Sequence, residues 1–132
     1  MHRIAMRLLA LSTLAVCAPA FDADAAKVVP LLNQPLAEQP NKEVTMLTVE
    51  YSPGQSTPIH RHNAEVFVYV LEGAVMMGVQ GKSPVRVEAG QTFHEAPSEI
   101  HAVSRNASDS APAKFVVFML KEKGAPATVP VR

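Results

Sequence analysis

His60 and His62 stand one residue apart in the stretch "GQSTPIHRHNAEVFVYVLEG", Gly54 to Gly73, after a proline-containing turn and before an apolar run. In an extended strand residues i and i+2 project to one side, so both imidazoles point together and Arg61 points away. Imidazole is the commonest side-chain ligand for zinc, copper, iron and nickel, and two on one strand need a third donor from elsewhere. The stretch therefore reads as half of a metal clamp. Two solvated loop histidines beside a proline are the plainer alternative, because H-x-H alone is a short pattern. Outside residues 1–25, His94 and His101 are the only other histidines.

A clamp needs a scaffold, and the flanking sequence is written in strand periods. From Val44 the apolar residues alternate or come in short blocks: "VTMLTVEY", "EVFVYVL", "AVMMGVQ", "PVRVE", "QTFHE", "IHAVSR" and "KFVVFML". Gly or Pro stands at nearly every junction, and no segment of ten or more residues keeps a helical period. Seven or eight short strands so spaced predict an all-β domain, a small antiparallel sandwich or barrel over residues 44–121. Residues 26–43 carry Pro30, Pro35 and Pro40, which bar a helix interior, and read as an extended arm against the sheet. Residues 122–132 read as a tail or an added edge strand.

The chain has 132 residues, 48% apolar and 18% charged, which suits one globular domain. Residues 1–25 differ. His2, Arg3 and Arg7 precede "LLALSTLAVCA", and two A-x-A sites follow, at Ala18 to Ala20 and Ala23 to Ala25. This is the pattern of a secretory signal peptide, too short and too soon interrupted by Pro19 and Asp22 to span a bilayer. The expectation is an exported protein, periplasmic or secreted, with no stable membrane span. A lipoprotein site at Cys17 is the alternative, and the bulky Val16 before it fits poorly.

Cleavage after Ala25 removes the only cysteine, so no disulfide can form. It also takes Arg3 and Arg7 from the twelve basic residues and Asp22 and Asp24 from the twelve acidic ones, leaving ten of each. With no basic stripe and no Trp, nucleic acid is not an expected partner. Hydrolysis through a covalent intermediate is also set aside, since "GQS" lacks the glycine-flanked serine elbow.

Gly54, His60, His62, Glu65 and Gly73 make the first stretch resemble the first motif of the cupin family. A second stretch, "GQTFHEAPSEIHAVSRN", resembles the family's second motif through Gly90, Pro97, His101 and Asn106. The resemblance is to a small single-domain cupin of the type-2 kind. It implies a double-stranded β-helix, or jelly-roll barrel, in which His60, His62 and His101 converge on a divalent transition metal: Fe, Mn, Ni, Zn or Cu. Strand period supports the first two; the third comes from the resemblance alone.

Most cupins add a glutamate ligand separated from the closing glycine by six residues, a position held here by Val66. Glu65 is one place off, and one step along a strand turns a side chain to the other face. Three arrangements are compatible with the residues. The histidines hold the metal alone with waters; or Glu95, which shares a face with Phe93, replaces the carboxylate as fourth ligand or acts as a catalytic general base; or the site is a metal-free apolar pocket. His94, one step from Glu95, is expected to face outward.

The family implies a metal-dependent enzyme of dioxygenase or isomerase type acting on a small molecule. The alternative is a non-catalytic small-molecule or metal binder, or a sensor, of the cell envelope, and fold does not choose between them. The pocket is expected to be lined by Val66, Val68, Val70 and Phe93. Met76, Met77 and Met119 are expected to fill core gaps rather than bind copper. Phe67, Tyr69, Phe93, Phe115 and Phe118 are expected in the core or a dimer interface, and Asn106 in a turn. A homodimer is expected, with Lys27 to Gln39 as a swapped or docking strand.

Overall fold

The computed structural model describes residues 25–132; the expected signal peptide, with Cys17, lies outside the described residues. Ten strands follow one another: β1 (Lys27–Pro35), β2 (Lys42–Tyr51), β3 (His60–Arg61), β4 (Ala64–Glu72), β5 (Ala74–Val79), β6 (Val85–Glu88), β7 (Thr92–Glu95), β8 (Ile100–Asn106), β9 (Ala113–Glu122) and β10 (Val129–Pro130). They form two antiparallel five-stranded sheets, ordered β1-β2-β9-β4-β7 and β10-β3-β8-β5-β6. The all-β architecture is the one the alternation predicts. Among the described residues no helix is long and apolar enough to cross a membrane.

The alternation sets the packing. Val66, Val68 and Val70 of β4 lie opposite Met119, Val117 and Phe115 of β9, and all six are buried. Each such side chain gains about 1.5–3 kcal/mol on burial. A one-residue slip would expose the whole row, so the register is held firmly. The intervening Phe67 and Tyr69, each 47% exposed, stand beside Phe118 and Val116. The outer face of this sheet is thus apolar as well.

The arm expected at residues 26–43 is a ladder strand for much of its length, with Lys27 to Pro35 paired to Glu50 through Glu43 of β2. Three prolines hid it. β1 is an edge strand, where a residue without an N–H is tolerated, and a register shift between Pro30 and Leu32 relieves the ladder beside the first proline. All nine of its residues are exposed.

Two local features aim the site. Gly73, between β4 and β5, has a φ of +69°, and a Cβ there would sit 2.5 Å from the Pro112 carbonyl oxygen, so the turn admits glycine only. On β8, Val79 pairs with His101 and Gly78 with Val103, leaving Ala102 as the extra residue of a bulge. His101, Ser104 and Asn106 are all buried as a result, despite the odd spacing of the first two. The Asn106 amide donates to the carbonyls of Ser52 (3.0 Å) and Ala111 (2.8 Å), the turn role expected of it.

At the far end of the core, Glu43 and Lys121 lie opposite each other on β2 and β9 and form a buried ion pair. Glu43 also accepts from the Gly124 N–H (3.1 Å), and Lys121 donates to the Ala125 carbonyl (2.7 Å). These contacts turn the chain back after β9. It then runs to β10, which pairs with β3.

Candidate metal centre

His60 opens β3 and pairs directly with His101 across the β3–β8 ladder, so their rings lie 5.0 Å apart. His62 returns to the same side two residues on, its ring 4.8 Å from that of His60. One donor atom from each of the three lies within 4.8 Å of the others, and all three residues are buried.

Hydrogen bonding fixes how two of the rings present themselves. His60 Nδ1 is 2.7 Å from the Pro58 carbonyl oxygen and His62 Nδ1 is 2.5 Å from that of Ala127. A carbonyl oxygen only accepts, so each Nδ1 carries a proton and each Nε2 presents a lone pair. Those two Nε2 atoms are 3.1 Å apart. Lone pairs so close repel unless a proton or a cation lies between them. Burial is the largest influence on His60 and holds it below the usual imidazole range, with the Pro58 hydrogen bond opposing, so an added proton is disfavoured. Two imidazole nitrogens bound at about 2.1 Å to one ion, roughly at right angles, lie about 3 Å apart. The donor set fits a divalent metal.

Glu95 reaches the cluster from the opposite sheet. It is 2% exposed and pairs with Val66 across β4 and β7. Its Oε1 lies 3.1 Å from His101 Nδ1, within ion-pair range but without hydrogen-bond alignment, for Glu95 Oε2 and both His101 nitrogens are without hydrogen-bond partners among the described residues. Each buried orphan of this kind costs about 1–3 kcal/mol. A shared cation would satisfy Glu95 Oε2 and one of the two His101 nitrogens. Glu65 and His94 lie outside, as expected from strand parity, joined by a 2.7 Å contact between Oε2 and Nε2.

The cluster opens on a cavity of about 310 Å³ lined by Val66, Val68, Met77, Val117 and Met119, among others. Two expected lining residues are not in it. Val70 lies one inward position further along β4, in the core against Phe115, while Phe93 stacks near His101 (6.1 Å between ring centroids) and borders a groove on the outer face. Met77 and Met119 fill the core as expected, and Met76 is half-buried. Tyr51, Thr57 and Ser104 also line the cavity, and Pro58 and Ala127 orient the histidines. The Ser104 and Ala127 contacts carry no local sequence signal, because they span 53 and 65 residues of chain, whereas Pro58 and Thr57 act over two and six residues.

The family model described as a cupin domain matches residues 47–119. Comparison with curated proteins found no match. Among solved structures, a conserved protein with a double-stranded β-helix domain from Klebsiella pneumoniae superposes with a TM-score of 0.65 at 16% identity, over 84% of this chain and 89% of the other. The DMSP lyase DddQ from Ruegeria pomeroyi gives 0.65 at 20% identity, over 90% and 58%. Oxalate oxidase in complex with the substrate analogue glycolate gives 0.62 at 23% identity, over 90% and 61%. The chain thus spans about six tenths of either enzyme, and at these identities the likeness is one of fold. With the family model covering more than half of its length and the jelly-roll sandwich in place, the chain belongs to the cupin family as a small single-domain member.

Proposed function

We propose that the protein is an exported, metal-dependent cupin enzyme that transforms a small molecule in its inner cavity. The facing Nε2 lone pairs of His60 and His62, 3.1 Å apart, carry this reading. His60, His62 and His101 would hold a divalent transition metal, with Glu95 as the fourth ligand. When bound, such an ion supplies Lewis-acid polarisation or activation of dioxygen.

The chain's own residues do the remaining work. The carbonyls of Pro58 and Ala127 lock the orientation of two imidazoles, as outer partners of metal-bound histidines do. The apolar walls exclude water from the cavity. Where the three histidines alone hold the ion, Glu95, with Oε2 free of protein partners, is placed instead to take a proton from a substrate at that atom. A dioxygenase- or isomerase-type reaction suits this set. The DMSP lyase and the oxalate oxidase that share the fold support small-molecule chemistry in it without choosing the substrate.

A second reading, a non-catalytic binder of the cell envelope, draws support from the cavity lining, where, among the described residues, the three histidines, Glu95 and Tyr51 are the only acidic or basic side chains. Export is supported by the signal-like residues 1–25. A homodimer is supported by the apolar outer face around Phe67, Tyr69 and Phe118 and by the exposed edge strand β1. Light scattering of the processed protein showing only monomer at micromolar concentration would remove the dimer.

The decisive measurement is metal content by elemental mass spectrometry on untagged protein from the periplasm, beside the His60→Ala/His62→Ala variant. Near-stoichiometric metal that vanishes in the variant is expected. No metal in either protein, even after reconstitution, overturns the reading in favour of the binder.

A further inference from the structure

Tyr51, Thr57 and Ser104 come from the end of β2, the loop before β3 and the middle of β8, and all three line the cavity that holds the histidines. The Tyr51 hydroxyl is hydrogen-bonded to Thr57 Oγ1 and, at 2.7 Å, to Ser104 Oγ. Three hydroxyls own three protons, and the two bonds among them consume two. Whichever way the bonds run, one proton is left to donate. Tyr51 is 2% exposed, and burial raises its pKa against the opposing bonds from Ser104 and Thr57, so the phenol stays protonated.

Ser104 is the next inward-facing position after His101 on β8, which places the hydroxyl cluster and the histidine cluster along one wall. Apart from the exposed Ser56 and Thr128, the remaining walls are apolar, with Val49, Val68, Met77, Phe115, Val117 and Met119 among them. Lysine and arginine are missing from the described lining, and inward-facing Lys121 is engaged by Glu43 and the Ala125 carbonyl. A ligand carboxylate held away from the histidines would meet no counter-charge. At about 30 Å³ per water-sized unit, a 310 Å³ cavity takes roughly ten non-hydrogen atoms.

We propose that Tyr51, Thr57 and Ser104 form a second polar station that donates a hydrogen bond to an uncharged oxygen of the ligand, which makes the ligand a small, mainly apolar molecule bearing a carbonyl, ether or hydroxyl group. This rests on the reading that the cavity takes up a small molecule, and not on a metal being present.

The test uses chelator-stripped protein titrated with three probes and followed by amide chemical shifts: benzene for access to the cavity, cyclohexanone for the acceptor, succinate for a dianion. Benzene and cyclohexanone should bind the wild type and succinate should not. The triple variant Tyr51→Phe/Thr57→Val/Ser104→Ala, which removes every hydroxyl of the station, should leave benzene affinity within about twofold and weaken cyclohexanone at least about tenfold, the loss expected for one good hydrogen bond. Ser104→Ala, which keeps the phenol and by the same count one free proton, should bind both neutral probes within a few-fold of wild type and guards against misfolding of the triple variant. Failure of both neutral probes to bind, equal losses for both in the triple variant, or succinate binding as well as cyclohexanone overturns the station. Because no metal is in the experiment, a protein that never loads metal can still pass it, and one that loads metal stoichiometrically can still fail.

Discussion

Val66 and Glu95 stand opposite each other across β4 and β7. In an antiparallel pair, opposed side chains share a face, so the Glu95 carboxylate enters from the neighbouring strand the space that the cupin pattern gives to residue 66. On the proposed reading, Glu95 supplies the family's carboxylate from one strand over, at the same place in the sandwich. If that equivalence holds, the exchange Val66→Glu/Glu95→Val should retain metal binding within a few-fold of wild type, while Glu95→Val alone weakens it by about 10–100-fold. Competition titrations against a chelating dye measure both. Equal failure of the exchange and the single variant would show that strand of origin matters and not position alone.

Metal should also stabilise the fold. An ion at a hundred times its Kd adds about 2.7 kcal/mol, when the unfolded chain does not bind it. For a domain of this size that corresponds to a rise of about 10–20 °C in Tm. Thermal scans of chelator-treated protein with and without nickel or zinc should show the rise, and the His60→Ala/His62→Ala variant should show almost none. An identical rise in the variant would place the bound ion elsewhere.

Glu43 makes a prediction about acid. The Lys121 hydrogen bond first, and then the Gly124 N–H, hold its carboxyl below the ordinary value of 4.5. A carboxylate with a lowered folded-state pKa contributes stability that is complete above its unfolded value and is lost as pH falls through the folded one. Wild type should therefore lose more stability than Glu43→Gln when pH drops from neutrality to below 4.5, with urea midpoints as the readout. Parallel losses in both proteins would assign the acid sensitivity to other groups, such as Glu50 and Glu99, which are lowered too.

The tail should control metal affinity without being part of the core. Ala127 accepts from His62 Nδ1, and Val129 and Pro130 pair with Arg61 and His60. Deleting residues 126–132 frees the His62 ring and one side of β3. A loss in metal affinity of about 10–100-fold is expected, with the far-ultraviolet spectrum of the strands unchanged. Affinity equal to that of the full chain would show that the carbonyl does not orient the ligand.

How much of this was legible follows from what each feature depends on. His60 and His62 could be placed on one side because strand period is local, and Glu95 could be put inside by its parity with Phe93. The partnership of Glu95 with Val66 could not be read, since it is a register between strands that the sequence separates by the β5–β6 hairpin. β1 was obscured because proline signals a break wherever the ladder has two neighbours, and only the edge position makes it harmless. β3 and β10, two residues each, are too short for any period. The Ala127 carbonyl is 65 residues from His62, and the Ser104 hydroxyl is 53 from Tyr51. Contacts so distant exist only after both sheets have formed.

Ala102 gives the bulge on β8 a consequence for how the domain can change. It is a half-buried methyl group with no polar side-chain contact to offer, yet it is the spacer that lets His101 and Ser104 face the same way. Replacing it with another small residue alters little, and deleting it leaves the histidine and the hydroxyl two residues apart, so that strict alternation turns both to the same side with no bulge needed. The strand therefore has two lengths that keep both groups inward, one with the extra residue and its bulge and one with neither, and in drifting descendants of this chain the loss of Ala102 should go together with the loss of the bulge and leave the two side chains facing the cavity.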